Sequence, residues 1–313
     1  MSRLLAVRYD SERVYGALIK NGAVTSASSI PIVSAKNGSE SISNTIRALT
    51  AKAGFHDRET AMCLPDNDCL TRLLEIGAIT EAELNMNLPY EFGEFIPSGA
   101  EGDYIFDYQT MAGEKGAANQ ILAVAVSRRT VNFYRDLADD SDLELVRLVP
   151  ETLALGDLVE AGAMRGKLCC IITVDADSTM LRIFRGSRNM ASHEITGGIA
   201  MVKEAMMNHN VSFFNGSKEN RAAVLNLDYC RENVESVCTN IVSALAYFLE
   251  RRLLRPYTPI FLAGEGALIP SLGETLSRSV GDKCENIAKL IPGQIDNETA
   301  AMLAPAIGAA MIR

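Results

Sequence analysis

The sequence predicts an α/β protein of two lobes, each built from a meander of strands followed by helices. Residues 4–22 and 171–189, about 167 positions apart, share the order strand, polar turn, strand, polar turn. Aligned without gaps, they match at Val7 with Val174, Asp10-Ser11 with Asp177-Ser178, and Val14 with Leu181. Alternating apolar residues predict a third strand after each segment, at Ala23–Ile32 and Met190–Ile195. Two similar units in the same order indicate a duplication.

The remaining elements of the first lobe lie on either side of an insertion. They are a helix at Ser41–Ala53, a strand at Thr60–Leu64 and a helix at Pro150–Ala161. Ile42, Ile46 and Leu49 lie on one face of the first helix. Gly54 is suited to end it, because glycine readily takes the left-handed conformation of helix ends. The last helix would return the chain to this lobe.

The insertion starts near residue 70, where the composition changes. Its predicted elements are strands at Leu70–Ile76, Tyr104–Thr110, Ile121–Val126 and Leu143–Leu148, a helix from Thr80, a flexible stretch at Ala112–Asn119 and a helix at Val131–Ala138. Thr80 and Glu83 have the spacing of a capping box, in which each side chain satisfies the backbone N–H of the other. Pro89 should kink or divide that helix. The order predicts an inserted βαββαβ subdomain.

The second lobe follows the second meander. Its predicted elements are a helix from Gly198 to about Asn208, a long helix from about Tyr229 to Leu254, a strand at Pro259–Ala263, a helix from Pro270 and a closing helix at Pro305–Ile312. The predicted domains are 1–69 with 150–168 for the first lobe core, 70–149 for the insertion, and 169–313 for the second lobe, with a cap at about 199–258.

Composition narrows the classes of function. The net charge of −9 and the absence of Trp disfavour nucleic acid as a partner, because an acidic surface repels phosphate backbones. The seven Cys lack the spacing of a zinc site and fit buried thiols in a reducing compartment. No stretch approaches the roughly 18–20 apolar residues of a membrane span. We therefore expect a cytoplasmic protein without direct membrane insertion.

Several motifs, in order, resemble the PilM family of type IV pilus assembly proteins, which is itself similar to FtsA. They are Leu73–Ile76 with Ile79–Leu84, Tyr90–Phe92 with Phe95–Pro97, Phe106–Gln109, Val146–Leu155, Leu262–Leu272 and Ala304–Ala310. The resemblance implies the actin/hexokinase superfold (ribonuclease H-like), with ATP between the lobes. It also implies a scaffold that binds a short cytoplasmic peptide of the inner-membrane protein PilN and is recruited by it to the membrane. Whether the protein forms a homo-oligomer stays open.

The two phosphate loops depart from the pattern of this superfold, which is Asp-x-Gly-Ser/Thr. The first loop is Arg8-Tyr9-Asp10-Ser11 and the second is Asp175-Ala176-Asp177-Ser178. Arg8 therefore replaces the expected Asp, and an acid replaces the expected Gly in both loops. Each acid adds a negative charge where a phosphate would approach, which costs on the order of 1 kcal/mol at about 4 Å in water.

Three interpretations of these loops compete. In the first, nucleotide binding is degenerate and the protein is a scaffold. In the second, Asp175 and Asp177 hold Mg²⁺ and Arg8 contacts phosphate, so that an altered ATP site remains. In the third, the Asp and Ser side chains hydrogen-bond their own backbone, as these residues commonly do in turns. The residues favour the first and third.

Four glycines are further candidates for nucleotide contact. Gly264 and Gly266 precede a helix and could approach a purine, or could simply permit a strand–helix turn. Gly197 and Gly198 open another helix, whose N–H groups could face a phosphate, or could merely allow the turn.

Catalytic motifs are missing from the sequence. The three His are far apart and lie in no catalytic motif, which disfavours an enzyme. The alternative function is an active Mg-ATP-dependent ATPase or small-molecule kinase of the same superfold, which would need intact phosphate loops. Assembly into filaments has no clear signal in the sequence.

Overall fold

The structure is a computed structural model that describes residues 3–10, 12–32, 38–77, 80–111, 119–212, 217–281 and 283–311. Its strands are β1 (Arg3–Tyr9), β2 (Arg13–Lys20), β3 (Ala23–Pro31), β4 (Glu59–Leu64), β5 (Cys69–Ile76), β6 (Tyr104–Met111), β7 (Asn119–Ser127), β8 (Glu144–Pro150), β9 (Leu168–Val174), β10 (Ser178–Arg185), β11 (Arg188–Thr196), β12 (Ile260–Ala263) and β13 (Cys284–Asn286). Its helices are α1 (Gly38–Ala53), α2 (Glu81–Glu91), α3 (Arg128–Asp139), α4 (Glu151–Ala161), α5 (Ala200–Asn208), α6 (Lys218–Leu225), α7 (Asp228–Glu250), α8 (Pro270–Val280) and α9 (Asn297–Met311).

Two five-stranded sheets have the same topology, which confirms the predicted duplication. The first has the order β3-β2-β1-β4-β8 and the second has the order β11-β10-β9-β12-β13. In each sheet the first strand of the meander pairs antiparallel with the second strand. On its other side that first strand pairs parallel with a strand that follows later in the chain. Both meanders therefore form as the alternating apolar pattern predicts.

Helices α4 and α9 join the two sheets. Helix α9, at the end of the chain, packs on β1 and β4 of the first sheet and along α4, which also contacts β10 and β11 of the second sheet. A Cβ atom at Gly308 would lie 1.9 Å from the carbonyl oxygen of Ala154, so the close crossing of these helices requires glycine. One buried apolar cluster continues from the first lobe into the second.

The inserted region forms a separate three-stranded sheet with the order β5-β7-β6. Helix α2 covers one face of this sheet, around Leu84, Leu88 and Phe92. The predicted capping box is present: Thr80 N donates to Glu83 Oε2 at 2.8 Å, and Glu83 N donates to Thr80 Oγ1 at 3.3 Å. Pro89 lies within α2, two residues before its end. The predicted flexible stretch falls almost entirely on 112–118, outside the described residues.

One strand of the predicted βαββαβ unit belongs elsewhere. The segment predicted at Leu143–Leu148 is β8, which pairs parallel with β4 at the edge of the first sheet. Helix α3 packs on β8 and α1 as well as on β7, so it bridges the inserted sheet and the first lobe. The order of elements predicted for this unit is correct. The sheet that a strand joins, however, depends on residues far away in the sequence, which a local pattern does not contain. In the described part of the chain, no helix is both long and apolar enough to cross a membrane.

Candidate functional site

Four backbone segments meet between the two lobes. They are the turn after β1, the turn after β9, the start of α5 and the short helical turn after β12 at Glu265–Leu268. Asp175 lies where they meet: its carbonyl oxygen accepts from Ile199 N at 3.0 Å, and its carboxylate is near Gly264. The candidate residues of the two loops and of the four glycines are thus brought together, except for Ser11, which lies outside the described residues.

In the first turn, the carboxylate of Asp10 binds the backbone of its own turn. Asp10 Oδ1 accepts from Glu12 N and from Arg13 N, both at 2.7 Å. Asp10 N in turn donates to Arg13 O at 3.0 Å. This is the arrangement in which an Asx side chain stabilises a turn. The carboxylate occupies two N–H groups that such a turn can otherwise offer to a bound anion.

Arg8, at the position of the expected Asp, connects β1 to the last helix. Its Nη1 donates to the carbonyl oxygen of Met302 at 2.7 Å. Burial alone would lower the pKa of the Arg8 guanidinium, but the carboxylates of Glu151 and Asp175 raise it, and the net pKa is raised. Arg8 is therefore held as a cation by groups of the protein itself.

The second turn is closed by backbone hydrogen bonds. Asp175 N donates to Ser178 O at 3.0 Å, while Asp177 is exposed. Three N–H groups at the start of α5 are paired with carbonyl oxygens of this turn: Gly197 with Asp177 at 2.9 Å, Ile199 with Asp175 at 3.0 Å, and Ala200 with Ala176 at 2.9 Å. These donors, which a phosphate would need, are used within the protein.

Close packing explains three of the four candidate glycines. A Cβ atom at Gly198 would lie 2.0 Å from the carbonyl oxygen of Asp175, and one at Gly264 would lie 2.7 Å from its Oδ1. A Cβ atom at Gly266 would lie 2.5 Å from the Cβ of Val174. Gly197, by contrast, has open space around it and a φ of 110°. Contacts within the chain therefore require glycine at positions 198, 264 and 266, whether or not these residues also contact a nucleotide.

An ion-pair bridge that the sequence did not reveal crosses the cleft. Lys203 Nζ on α5 lies 2.5 Å from Glu265 Oε1 and 3.3 Å from Glu12 Oε1. Glu12 belongs to the first turn, and Glu265 is a buried side chain of the turn after β12. The sequence does contain one indication of this bridge. Glu265 is an acid between two glycines in the stretch Leu262–Leu272, at a position where the PilM motif has a third glycine.

The surroundings of this bridge raise the pKa values of both Glu265 and Lys203. Burial raises the pKa of Glu265, Lys203 lowers it, and the nearby charges of Asp175 and Asp10 raise it, with a net increase. Burial would lower the pKa of Lys203, but its hydrogen bond with Glu265 and the charge of Glu12 raise it overall. The ammonium is therefore stabilised by a mainly acidic site.

A second polar network lies deeper between the lobes. Arg182 of β10 is only 3% exposed; its Nη2 lies 2.8 Å from Asp66 Oδ2, and its Nη1 lies 3.6 Å from Glu151 Oε1. Thr152 connects the same groups, since its Oγ1 accepts from Arg182 Nε at 2.8 Å and donates to Asp66 Oδ2 at 2.5 Å. The network links the turn after β4 and the start of α4 to the second sheet.

ATP and Mg²⁺ need free backbone donors and cations for the phosphates, and carboxylates for the metal. Two amides of the first turn and three at the start of α5 are paired internally, and Arg8 and Lys203 are paired with protein acceptors. The carboxylates of Asp10, Glu12, Asp175 and Glu265 add negative charge around the cleft. These pairings and charges disfavour a polyphosphate in the cleft. In the described part of the chain no three His, Cys, Asp or Glu side chains are grouped as metal ligands. Binding of Mg²⁺ by Asp175 and Asp177 stays a prediction.

A groove beside the inserted sheet is the second candidate site. It is lined by side chains from all three sheets or their adjoining turns, among them Leu73 and Leu122 of the inserted sheet, Leu153 of α4, and Met180 and Asn189 of the second sheet. Leu73 is 49% exposed, so it offers apolar surface to the groove. The groove lies between the inserted sheet and the two lobes, and ligand sites commonly occur at such interfaces between domains.

Comparison with solved structures confirms the actin-like fold. The structure of a PilM-PilN type IV pilus biogenesis complex has a TM-score of 0.75 and 16% identity, covering 98% of this chain and 97% of that chain. The ethanolamine utilization protein EutJ from Carboxydothermus hydrogenoformans has a TM-score of 0.53 and 14% identity, covering 99% and 90%. A Bacteroides thetaiotaomicron protein with an actin-like ATPase fold has a TM-score of 0.51 and 9% identity, covering 96% and 95%.

Sequence comparison gives a more specific result. No curated protein matches the chain in sequence. The family model described as type IV pilus assembly protein PilM, however, matches residues 19–297, which is most of the chain and includes the inserted sheet and the whole second meander. The chain belongs to the PilM family of type IV pilus assembly proteins.

Proposed function

We propose that this protein is a cytoplasmic scaffold of a type IV pilus or related secretion machine, and that it binds a cytoplasmic peptide of a PilN-like inner-membrane partner. The partner would recruit it to the inner face of the membrane. The observation that carries the proposal is the groove between the inserted sheet, α4 and the second sheet. Membership of the PilM family and the likeness to a PilM-PilN complex support this class of partner.

The inserted sheet is suited to bind an extended peptide. Strand β5 is at its edge and, among the described residues, pairs with β7 alone. Thr71 and Leu73 of β5 are exposed and line the groove, whereas α2 covers the opposite face. An extended peptide can therefore add along the strand edge through backbone hydrogen bonds, or place apolar side chains against Leu73 and Leu122. Both modes use the same groove.

A degenerate nucleotide cleft is the second part of the proposal. Its support is the pairing of two amides of the first turn with the Asp10 carboxylate, and of three amides at the start of α5 with the carbonyl oxygens of residues 175–177. A triphosphate would have to displace these acceptors and approach several carboxylates. An ATPase or kinase needs a bound γ-phosphate and an acid or base beside it. The superfold alone cannot assign such an activity.

The peptide site is tested by titrating the protein with a synthetic peptide. The probe is the N-terminal cytoplasmic segment of the PilN-like protein from the same organism, labelled for fluorescence anisotropy. Leu73→Asp should weaken binding at least tenfold, because burial of one Leu contributes about 1.5–3 kcal/mol and tenfold is about 1.4 kcal/mol. Met86→Asp, on α2 and 74% exposed, is the control and should bind like the wild type.

The two variants separate the groove from the surface in general. Both replace an exposed apolar residue of the inserted region by the same acid, so a nonspecific charge effect would appear in both. Wild-type affinity in Leu73→Asp would place the peptide elsewhere. Failure of the wild-type protein to bind the peptide would contradict the proposed partner.

A further inference from the structure

We infer that Lys203 joins the two lobes across the nucleotide cleft, by pairing with Glu12 of the first lobe and Glu265 of the second, and thereby holds the cleft together without a nucleotide. The actin-like fold implies a nucleotide at this position. In this chain, side chains of the protein itself connect the two sides of the cleft. It rests on the degenerate cleft of the proposed function and explains how that cleft is held, but it does not depend on the peptide. The distances are 3.3 Å to Glu12 and 2.5 Å to Glu265.

The three partners come from three different segments, so their contact fixes the cleft. Glu12 lies in the turn between β1 and β2, Lys203 lies on α5, and Glu265 follows β12. Glu265 is 5% exposed and is close enough to Asp175 and Asp10 for their charges to act on it. Without a cation, this buried carboxylate would be strongly disfavoured. Lys203 supplies that cation and reaches Glu12 from the same position.

Protein acceptors also take the places that phosphates would occupy. The Asp10 carboxylate binds the two amides of the first turn at 2.7 Å. The carbonyl oxygens of the second turn bind Gly197 N, Ile199 N and Ala200 N. These five donors of the first turn and of the helix start are thus used within the protein. A polyphosphate would add negative charge to a cleft whose cation is already paired with two carboxylates.

The bridge is placed where it can open. The Arg182 network is deep between the sheets, with a guanidinium that is 3% exposed. In the Lys203–Glu12 pair, by contrast, the side chains are 21% and 44% exposed. An exposed ion pair contributes modestly and is weakened by salt. The buried network therefore acts as the permanent connection, and the Lys203–Glu12 contact as the part that breaks when the lobes separate.

Hydrogen exchange on the full-length protein tests the inference. The measured segments are residues 12–14 and 197–203, which carry the cleft amides. Glu12→Gln removes one charge from an exposed turn and should speed their exchange about two- to fivefold, the effect expected for loss of one exposed ion pair. Lys203→Met should speed it at least as much. Glu250→Gln, an exposed carboxylate on α7, is the control and should leave these segments unchanged.

A nucleotide arm completes the experiment. Addition of millimolar Mg-ATP to the wild-type protein should not slow exchange in either segment. Lys203→Met also deprives the buried Glu265 of its partner and can lower overall stability, so Glu12→Gln decides the outcome. The inference is overturned if Glu12→Gln exchanges like the wild type, or if Mg-ATP protects the wild-type segments. No peptide is present, so neither result depends on the proposed partner.

Discussion

The guanidinium of Arg182 lies 2.8 Å from the carboxylate of Asp66, although the two residues are 116 positions apart and belong to different lobes. Asp66 follows β4 of the first sheet, and Arg182 is in the middle of β10 of the second. Thr152, at the start of α4, completes the contact through hydrogen bonds to both. The lobes are therefore joined by a buried polar network as well as by the apolar packing of α4 and α9.

Loss of Arg182 should strongly destabilise the protein. Arg182→Ala leaves Asp66 and Glu151 without their cation in a buried site, and removal of one partner from a buried ion pair costs about 3–5 kcal/mol. Arg185→Ala, an exposed position on the same strand, is the matched control and should change the free energy of unfolding by less than about 0.5 kcal/mol. Urea unfolding monitored by circular dichroism measures both. Equal stability of the two variants would contradict the role of the network.

The crossing of α4 and α9 makes a second prediction. Gly308→Ala should destabilise the fold by about 1–3 kcal/mol or more, because the new methyl group would lie 1.9 Å from the carbonyl oxygen of Ala154. Gly273→Ala is the control, since it lies in α8 and the nearest atom would be 3.5 Å away. Alanine favours helix, so Gly273→Ala should be neutral or stabilise by up to about 1 kcal/mol. Urea unfolding of both variants checks the contrast, and similar losses in the two would argue against the close crossing.

The third prediction concerns pH. Burial raises the pKa of Asp157 on α4 to about 6, while Arg147 and Gln109 act in the opposite direction. The folded protein therefore binds the proton more tightly than the unfolded chain, whose carboxyl has an ordinary pKa near 3.9. The stabilisation from this proton is complete below about pH 4 and is lost as the pH rises through about 6.

Asp157→Asn should remove this pH dependence. At pH 7 the variant should be more stable than the wild type by roughly 1–3 kcal/mol, and the difference should shrink towards pH 4. The measurement is urea unfolding at several pH values between 4 and 7.5, with Glu250→Gln as an exposed control. A variant that is less stable than the wild type at pH 7 would show that the carboxylate is better accommodated than its burial indicates.

Much of the fold follows from local sequence patterns. The meanders are predictable because apolar alternation and turn residues are local signals, and the capping box of Thr80 and Glu83 is defined within four residues. Pro305 shows the limit of such signals. Proline favours the first turn of a helix, so a start at Pro305 was predicted, whereas α9 begins at Asn297 and contains Pro305 in its interior. Dense packing of α9 against both lobes outweighs the missing hydrogen bond.

The candidate cleft was only partly predictable. The interpretation of Asp10 as a residue that binds its own turn agrees with its contacts to Glu12 N and Arg13 N. The partners of Arg182 and Lys203 could not be found, because they lie on segments that approach each other only in the folded chain. The nucleotide and metal roles assigned to the loop residues stay predictions.

The most direct test of the central claim is peptide binding with and without nucleotide. The PilN-derived peptide is titrated into the wild-type protein by isothermal titration calorimetry, first alone and then with millimolar Mg-ATP. A scaffold whose cleft is held by its own ion pairs should bind the peptide with the same Kd in both titrations. A tenfold change in Kd on addition of Mg-ATP would make the protein nucleotide-regulated and would contradict the account.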